Sequence, residues 1–209
     1  MPAGVHARPT RSVWQLSTLL AWMGVVVALT VATATGGLSV DALASSPSKI
    51  DQGKVWVLLT SGLVVQHPIL ISLASFIALG VLVIVVCGTR LFWIVGVAGH
   101  VGSTILAYSA FAAARAFDPG SYQALLTRPD YGVSAISAAW LGAVAAAGWR
   151  RRGQTTRGRL AIGLAVLATA VFAYMIRGGI TILDSDHVIA FTIGVALVAY
   201  VRRRTVSTG

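Results

Sequence analysis

In this 209-residue chain, Ser134 and His187 are a serine and a histidine whose surroundings suit acyl chemistry. A serine hydroxyl beside an imidazole is the minimum for nucleophilic acyl transfer, because a base must take the hydroxyl proton before the serine can attack. Ser134 lies in Tyr131-Gly132-Val133-Ser134-Ala135-Ile136-Ser137-Ala138-Ala139-Trp140-Leu141-Gly142, and His187 in Asp186-His187-Val188-Ile189-Ala190-Phe191-Thr192-Ile193-Gly194. Each stretch opens an apolar run. Ala135, Ala138, Ala139 and Gly142 on one, facing Ala190 and Gly194 on the other, would let two helix backbones approach closely. Asp186 could hold His187 in one orientation, or cap its helix at the N-terminus, where a carboxylate is favourable. No Cys-x-x-Cys or clustered His/Cys spacing predicts a metal, and no motif calls for a cofactor. The single cysteine, Cys87, lies in an apolar run and behaves as a small buried hydrophobe.

The elements that must position this pair are membrane helices. Hydrophobic residues make up 56% of the chain and charged residues 11%. Mean hydropathy is +0.82. A soluble domain averages about a quarter charged residues. A net charge of +10 would suit nucleic acid only if the arginines shared one solvated face; they sit instead between long apolar runs. A spanning helix needs about 20 mostly apolar residues, and six runs qualify or nearly so: 15–36, 67–88, 91–111, 132–149, 160–177 and 186–201. Residues 55–66 form an interfacial or re-entrant approach to the second run, with Trp56 as the headgroup anchor and Pro68 in the first helical turn.

Charge sorts independently with this count. Arg8, Arg11, Arg90, Arg150, Arg151, Arg152, Arg157, Arg159, Arg202, Arg203 and Arg204 fall on one side, against Lys49, Lys54, Arg115, Arg128 and Arg177 on the other. Eleven against five places the first set in the cytoplasm by the positive-inside rule. All six acidic residues, every one an aspartate, fall outside. The expectation is an all-α polytopic protein of the plasma membrane with both termini cytoplasmic: a tail over 1–14, a six-helix domain over 15–201 and a tail over 202–209. Cleavage of the first run as a signal peptide at Ala32-Thr33-Ala34 is the rival reading, although that run is longer than the usual 7–15 residues. In this topology the fourth and sixth helices enter from outside, which sets Ser134 and His187 at comparable depth. No aspartate pairs with a basic residue at mid-membrane and no inverted repeat is visible, so an ion-coupled transporter has little to work with.

On these residues the chain resembles the rhomboid superfamily of six-helix intramembrane serine proteases. Gly132-Val133-Ser134 is similar to the G-x-S opening of that family's fourth helix. His187 and Gly194 match its sixth-helix pattern, with Ala190 in place of the first glycine. Trp56-Val57-Leu58-Leu59-Thr60-Ser61 resembles the W-x-x-x-T-S stretch before its second helix, and Gly88-Thr89-Arg90-Leu91 the short turn into its third. The likeness runs from about residue 55 to 202. It implies a six-helix rhomboid-like bundle, with Ser134 as nucleophile and His187 as base, supported by Gly132, Asp186 and Gly194. It further implies the transmembrane segments of other membrane proteins, within the lipid bilayer, as partners.

The departures fall at the oxyanion hole. The family's H-x-x-x-N segment reads Pro68-Ile69-Leu70-Ile71-Ser72 here, which leaves Gln66, His67 and Ser72 as candidates to bind the oxyanion or substrate. His100, in the third helix, is expected to lie too deep. Ala135 and Ala138 stand where the family has a glycine and an aromatic. These changes keep open the alternative of a non-catalytic rhomboid-like protein that binds transmembrane clients.

Overall fold

The computed structural model describes residues 11–65, 68–117, 119–150, 156, 163 and 182–206. The elements are α1 (Arg11–Ala34), α2 (Val40–Leu43), α3 (Pro47–Asp51), α4 (Val57–Thr60) with a 3-10 turn over Ser61–Leu63, α5 (Ile69–Cys87), α6 (Thr89–Ala114), α7 (Pro119–Leu126), α8 (Ser134–Arg150) and α9 (Ile182–Val206). Among the described residues there is no strand; one isolated backbone bridge joins Ser45 to Asp130. Three helices are long and apolar enough to cross a membrane, over Ser17–Ala34, Ile69–Cys87 and Thr89–Ala113. Two shorter apolar helices lie over Ser134–Trp149 and Ser185–Val201. The expected span over 160–177 lies outside the described residues.

The sequence dictates these helices by uninterrupted apolar content rather than by amphipathicity. α5 has no charged residue between Ile69 and Cys87. Its outer surface carries Leu70 at 82% exposure and Ile71 at 68%, with Val81 and Val85 also exposed. A soluble protein does not leave a continuous apolar helix face in water, so this face is built for lipid. α6, with 56% of its apolar span buried against 22% for α1 and for α5, is the central helix. Pro68 caps α5 without spending a backbone donor. Gly88, at φ 89°, ends α5 and opens α6, a backbone conformation that a side chain would strain.

Where apolar lipid replaces water, helices adhere through close packing more than through the hydrophobic effect, and aromatic stacking does much of that here. The Trp140 indole of α8 lies between Phe76 of α5, at 5.0 Å, and Phe92 of α6, at 4.4 Å. Its Nε1–H donates to the Phe92 carbonyl at 2.9 Å. Trp93 extends the series edge-on to Trp22 of α1 at 5.2 Å. Such ring pairs each add about 0.5–1.5 kcal/mol beyond the area they bury.

Charges collect at two ends. The loop holding Asp41, Asp51, Lys49 and Lys54 is paired through Ser45 to Asp130, two N–H···O bonds of 2.8 Å. Asp186 at the start of α9 feels the charge of Asp130, so these aspartates share one end. Arg90, Arg150 and Arg202–Arg204 fall at the other, where α5 turns into α6 and where α8 and α9 finish.

Candidate functional site

Ser134 is the first residue of α8 and is exposed, while His187 is half-buried on α9. What relates them is the packing of α8 against α9. Both helices start at the acidic end and run in parallel. A Cβ built on Gly142 would collide with the Phe191 carbonyl, and one on Gly194 with the Ala139 carbonyl and the Ala143 nitrogen. Only hydrogen fits at either position, so the two backbones are in contact. The touching residues are 49, 55 and 51 positions apart in sequence. Ser134 and His187 are 53 apart, inside that bracket. The register therefore sets them at the same level, Ser134 at the start of α8 and His187 between one and two turns into α9. Among the described hydrogen bonds none joins the Ser134 hydroxyl to His187.

The supporting residues take varied positions. Gly132 is buried at φ 133°, and its N–H donates to the Ser61 carbonyl at 2.8 Å. This fixes the turn that delivers Ser134. Asp186 was expected to orient His187 or to cap its helix, and it does not stand at the cap. α9 begins at Ile182, four residues before the expected start, so Asp186 lies one turn inside the helix. It is buried at 5% exposure beside Ser103 of α6, whose hydroxyl donates to the His100 carbonyl at 3.1 Å. Successive helical residues point about 100° apart, which turns Asp186 away from the direction of His187. Of the oxyanion candidates, Ser72 is half-buried in the first turn of α5, with its N–H bonded to the Pro68 carbonyl at 3.0 Å. Gln66 and His67 lie outside the described residues.

A second serine and histidine meet where the sequence reading placed nothing. Ser61, 1% exposed, bonds His100 Nε2 at 3.1 Å from the 3-10 turn. His100, at 6% exposure, is as deep as expected, yet it has a specific partner. The sequence does carry a signal for it. Gly96, Gly99 and Gly102 flank His100, so the histidine stands on a closely packed helix face, and a polar group there must find a partner. Nearby, Tyr108 donates to Asp130 Oδ2 at 3.3 Å and contacts the Ser45 hydroxyl at 3.0 Å. Burial pushes the Asp130 carboxyl above the ordinary carboxylate range, with the Tyr108 bond and the charge of Arg128 pulling the other way. Val65 N–H reaches Thr30 of α1 at 3.2 Å. The loop between α1 and α5 is thus tied to α1, to α6 and to the turn before Ser134.

Among the described residues no cluster of three or more His, Cys, Asp or Glu side chains could hold a metal ion. No family model, no curated protein and no solved structure matches this chain.

Proposed function

We propose that this chain is a six-span, rhomboid-like intramembrane serine protease that hydrolyses a peptide bond in the transmembrane region of other membrane proteins. The observation that carries this reading is the glycine-locked register of α8 and α9, which sets an exposed Ser134 level with His187. In the proposed reaction Ser134 Oγ attacks the scissile carbonyl while His187 accepts the hydroxyl proton. His187 then passes that proton to the leaving amine. Water, activated by the same imidazole, cleaves the acyl-enzyme and restores Ser134. The first N–H groups of a helix have no intrahelical partner, and Ser137 is the first residue of α8 whose N–H reaches back to a carbonyl, that of Val133. The N–H groups at the start of α8, at the positive end of its dipole, are the donors that would receive the oxyanion in place of the missing H-x-x-x-N side chains. The excess of arginine at one end supports a plasma-membrane topology with both termini cytoplasmic, which opens Ser134 to the outer face.

A second reading, a non-catalytic protein that holds transmembrane clients, is favoured by two features. Pro68 and Ser72 occupy the oxyanion segment, and Ala135 and Ala138 stand where the family has a glycine and an aromatic. Loss of one oxyanion donor lowers turnover about 10²–10³-fold, so the two readings differ by a measurable rate. A fluorophosphonate probe should label the wild-type protein in membranes and leave Ser134→Ala unlabelled. Cleavage of a transmembrane reporter should vanish in both Ser134→Ala and His187→Ala. Equal labelling of wild type and Ser134→Ala would remove Ser134 from the mechanism, and client capture without cleavage would establish the second reading.

A further inference from the structure

The Ser61–His100 bond uses only one of the two imidazole nitrogens. His100 Nδ1 is buried without a hydrogen-bond partner, and so is the indole Nε1 of Trp22 on α1. Both residues line one cavity of about 30 Å³ between α1 and α6, whose other walls include Trp93, Ile136 and Trp140. Leaving a buried donor or acceptor unsatisfied costs about 1–3 kcal/mol, so two residues that carry such groups and line one small cavity point to a shared guest. The volume suits a single water, which needs only about 10–15 Å³ of accessible space and at least two polar partners.

The chemistry of the two nitrogens selects the guest. Indole N–H only donates, so the guest must accept from Trp22. Placing the imidazole proton on Nε2 lets His100 donate to the Ser61 hydroxyl and leaves Nδ1 as an acceptor, to which the guest must donate. A lipid carbonyl accepts but cannot donate, and an anion would meet no charge in an apolar wall. Water does both.

We propose that one buried water bridges Trp22 Nε1–H to His100 Nδ1 and fixes His100 as the Nε2–H tautomer. The bridge completes a polar chain from α1 through α6 to Ser61, whose carbonyl receives the Gly132 N–H. Four segments are thereby joined behind the turn that carries Ser134. The site does not depend on whether Ser134 is a nucleophile.

The test is nuclear magnetic resonance on the full chain in lipid nanodiscs, with ¹⁵N-labelled histidine and tryptophan, His100 being assigned through Gly99 and Val101. The expected result is a neutral His100 protonated at Nε2, together with cross-relaxation between the Trp22 indole proton and a long-lived water. Trp22→Phe, which keeps an aromatic ring and removes the donor, should abolish that cross-peak and shift the His100 Nδ1 signal. A His100 protonated at Nδ1, or a Trp22 indole proton that exchanges magnetisation only with lipid acyl chains, would overturn the proposal. The tautomer is read in the wild type, so it decides the question even if Trp22→Phe does not fold.

Discussion

The molecule holds a bonded serine and histidine in one place and a serine and histidine at one level of two packed helices in another, in opposite circumstances. Ser61 and His100 are buried and hydrogen-bonded at 3.1 Å, on a loop turn and a central helix. Ser134 and His187 are exposed and half-buried, on two parallel helices whose glycines bring the backbones together. The same two side-chain types serve stability in one place and are available for chemistry in the other. Solvent access and the rigidity of the supporting helices make the difference, because a hydroxyl already sealed inside a polar chain cannot receive a substrate carbonyl. Stability and activity should therefore separate cleanly between the two pairs.

The largest effect should come from the contact that holds the second pair in register. At Gly194 a side chain meets backbone on the facing helix, not the flexible end of a neighbour, so nothing nearby can yield. Gly194→Val is expected to lose about 3 kcal/mol or more, beyond the usual range for an overpacked core site. Gly24→Val is the control, since nothing lies within 4 Å of a Cβ there. Chemical unfolding in detergent, monitored by circular dichroism, measures both. Equal stability of the two variants would break the argument that α8 and α9 are locked by backbone contact.

The buried pair comes next. His100→Ala removes a buried imidazole, opens a cavity and strands the Ser61 hydroxyl, for an expected loss of about 2–3 kcal/mol. His187→Ala should cost about 1 kcal/mol or less, because the half-buried ring has less surrounding structure to disturb. A thermal melt of both variants in one detergent gives the comparison. If His187→Ala proved the more destabilising, the roles assigned to the two histidines would have to be exchanged.

Much of this was legible in the sequence, and what was not has physical causes. Apolar runs announce α1, α5 and α6 because a bilayer demands length and apolarity together. The small residues Ala139, Gly142 and Gly194 announce the α8–α9 contact, since only small side chains permit it. The start of α9 was misplaced because Ile182 and Leu183 precede the two aspartates, and acidic residues beside an apolar run read as a boundary when they are in fact one turn inside. Asp186 there lies beside Ser103 of α6, a residue 83 positions away in sequence. The Ser61–His100 bond likewise joins residues 39 apart. Its glycine-flanked histidine was visible, but which hydroxyl would reach it is decided by tertiary contact alone.

A smaller effect separates the two polar clusters by pH. Burial holds the Asp130 carboxyl above the ordinary carboxylate value of 3.8, so the folded state keeps this proton more tightly than the unfolded chain does. The stabilisation is then fully present below that ordinary value and is lost as pH rises through the folded-state pKa. Asp130→Asn retains an acceptor for Tyr108 and has no charge to bury. Its melting temperature should match wild type near pH 4 and exceed it increasingly toward neutral pH. A difference of constant size from pH 4 to 8 would mean that the Asp130 charge is not what burial penalises.

The smallest effect should be that of Ser134→Ala on stability. The hydroxyl is exposed at the first position of α8 and takes part in no described hydrogen bond, while the contacts that hold the turn belong to Gly132 and Ser61. Surface substitutions away from caps and buried networks stay within about 0.5 kcal/mol, and alanine keeps the helical backbone. Ser61→Ala, by contrast, removes a partner of a buried imidazole and should cost about 1–3 kcal/mol. Measured side by side in the same detergent, the two alanine variants place a number on the difference between the pairs. A Ser134→Ala loss as large as that of Ser61→Ala would show that the Ser134 hydroxyl is structural. A Ser134→Ala protein that melts like wild type but no longer takes up fluorophosphonate would tie the hydroxyl to chemistry alone.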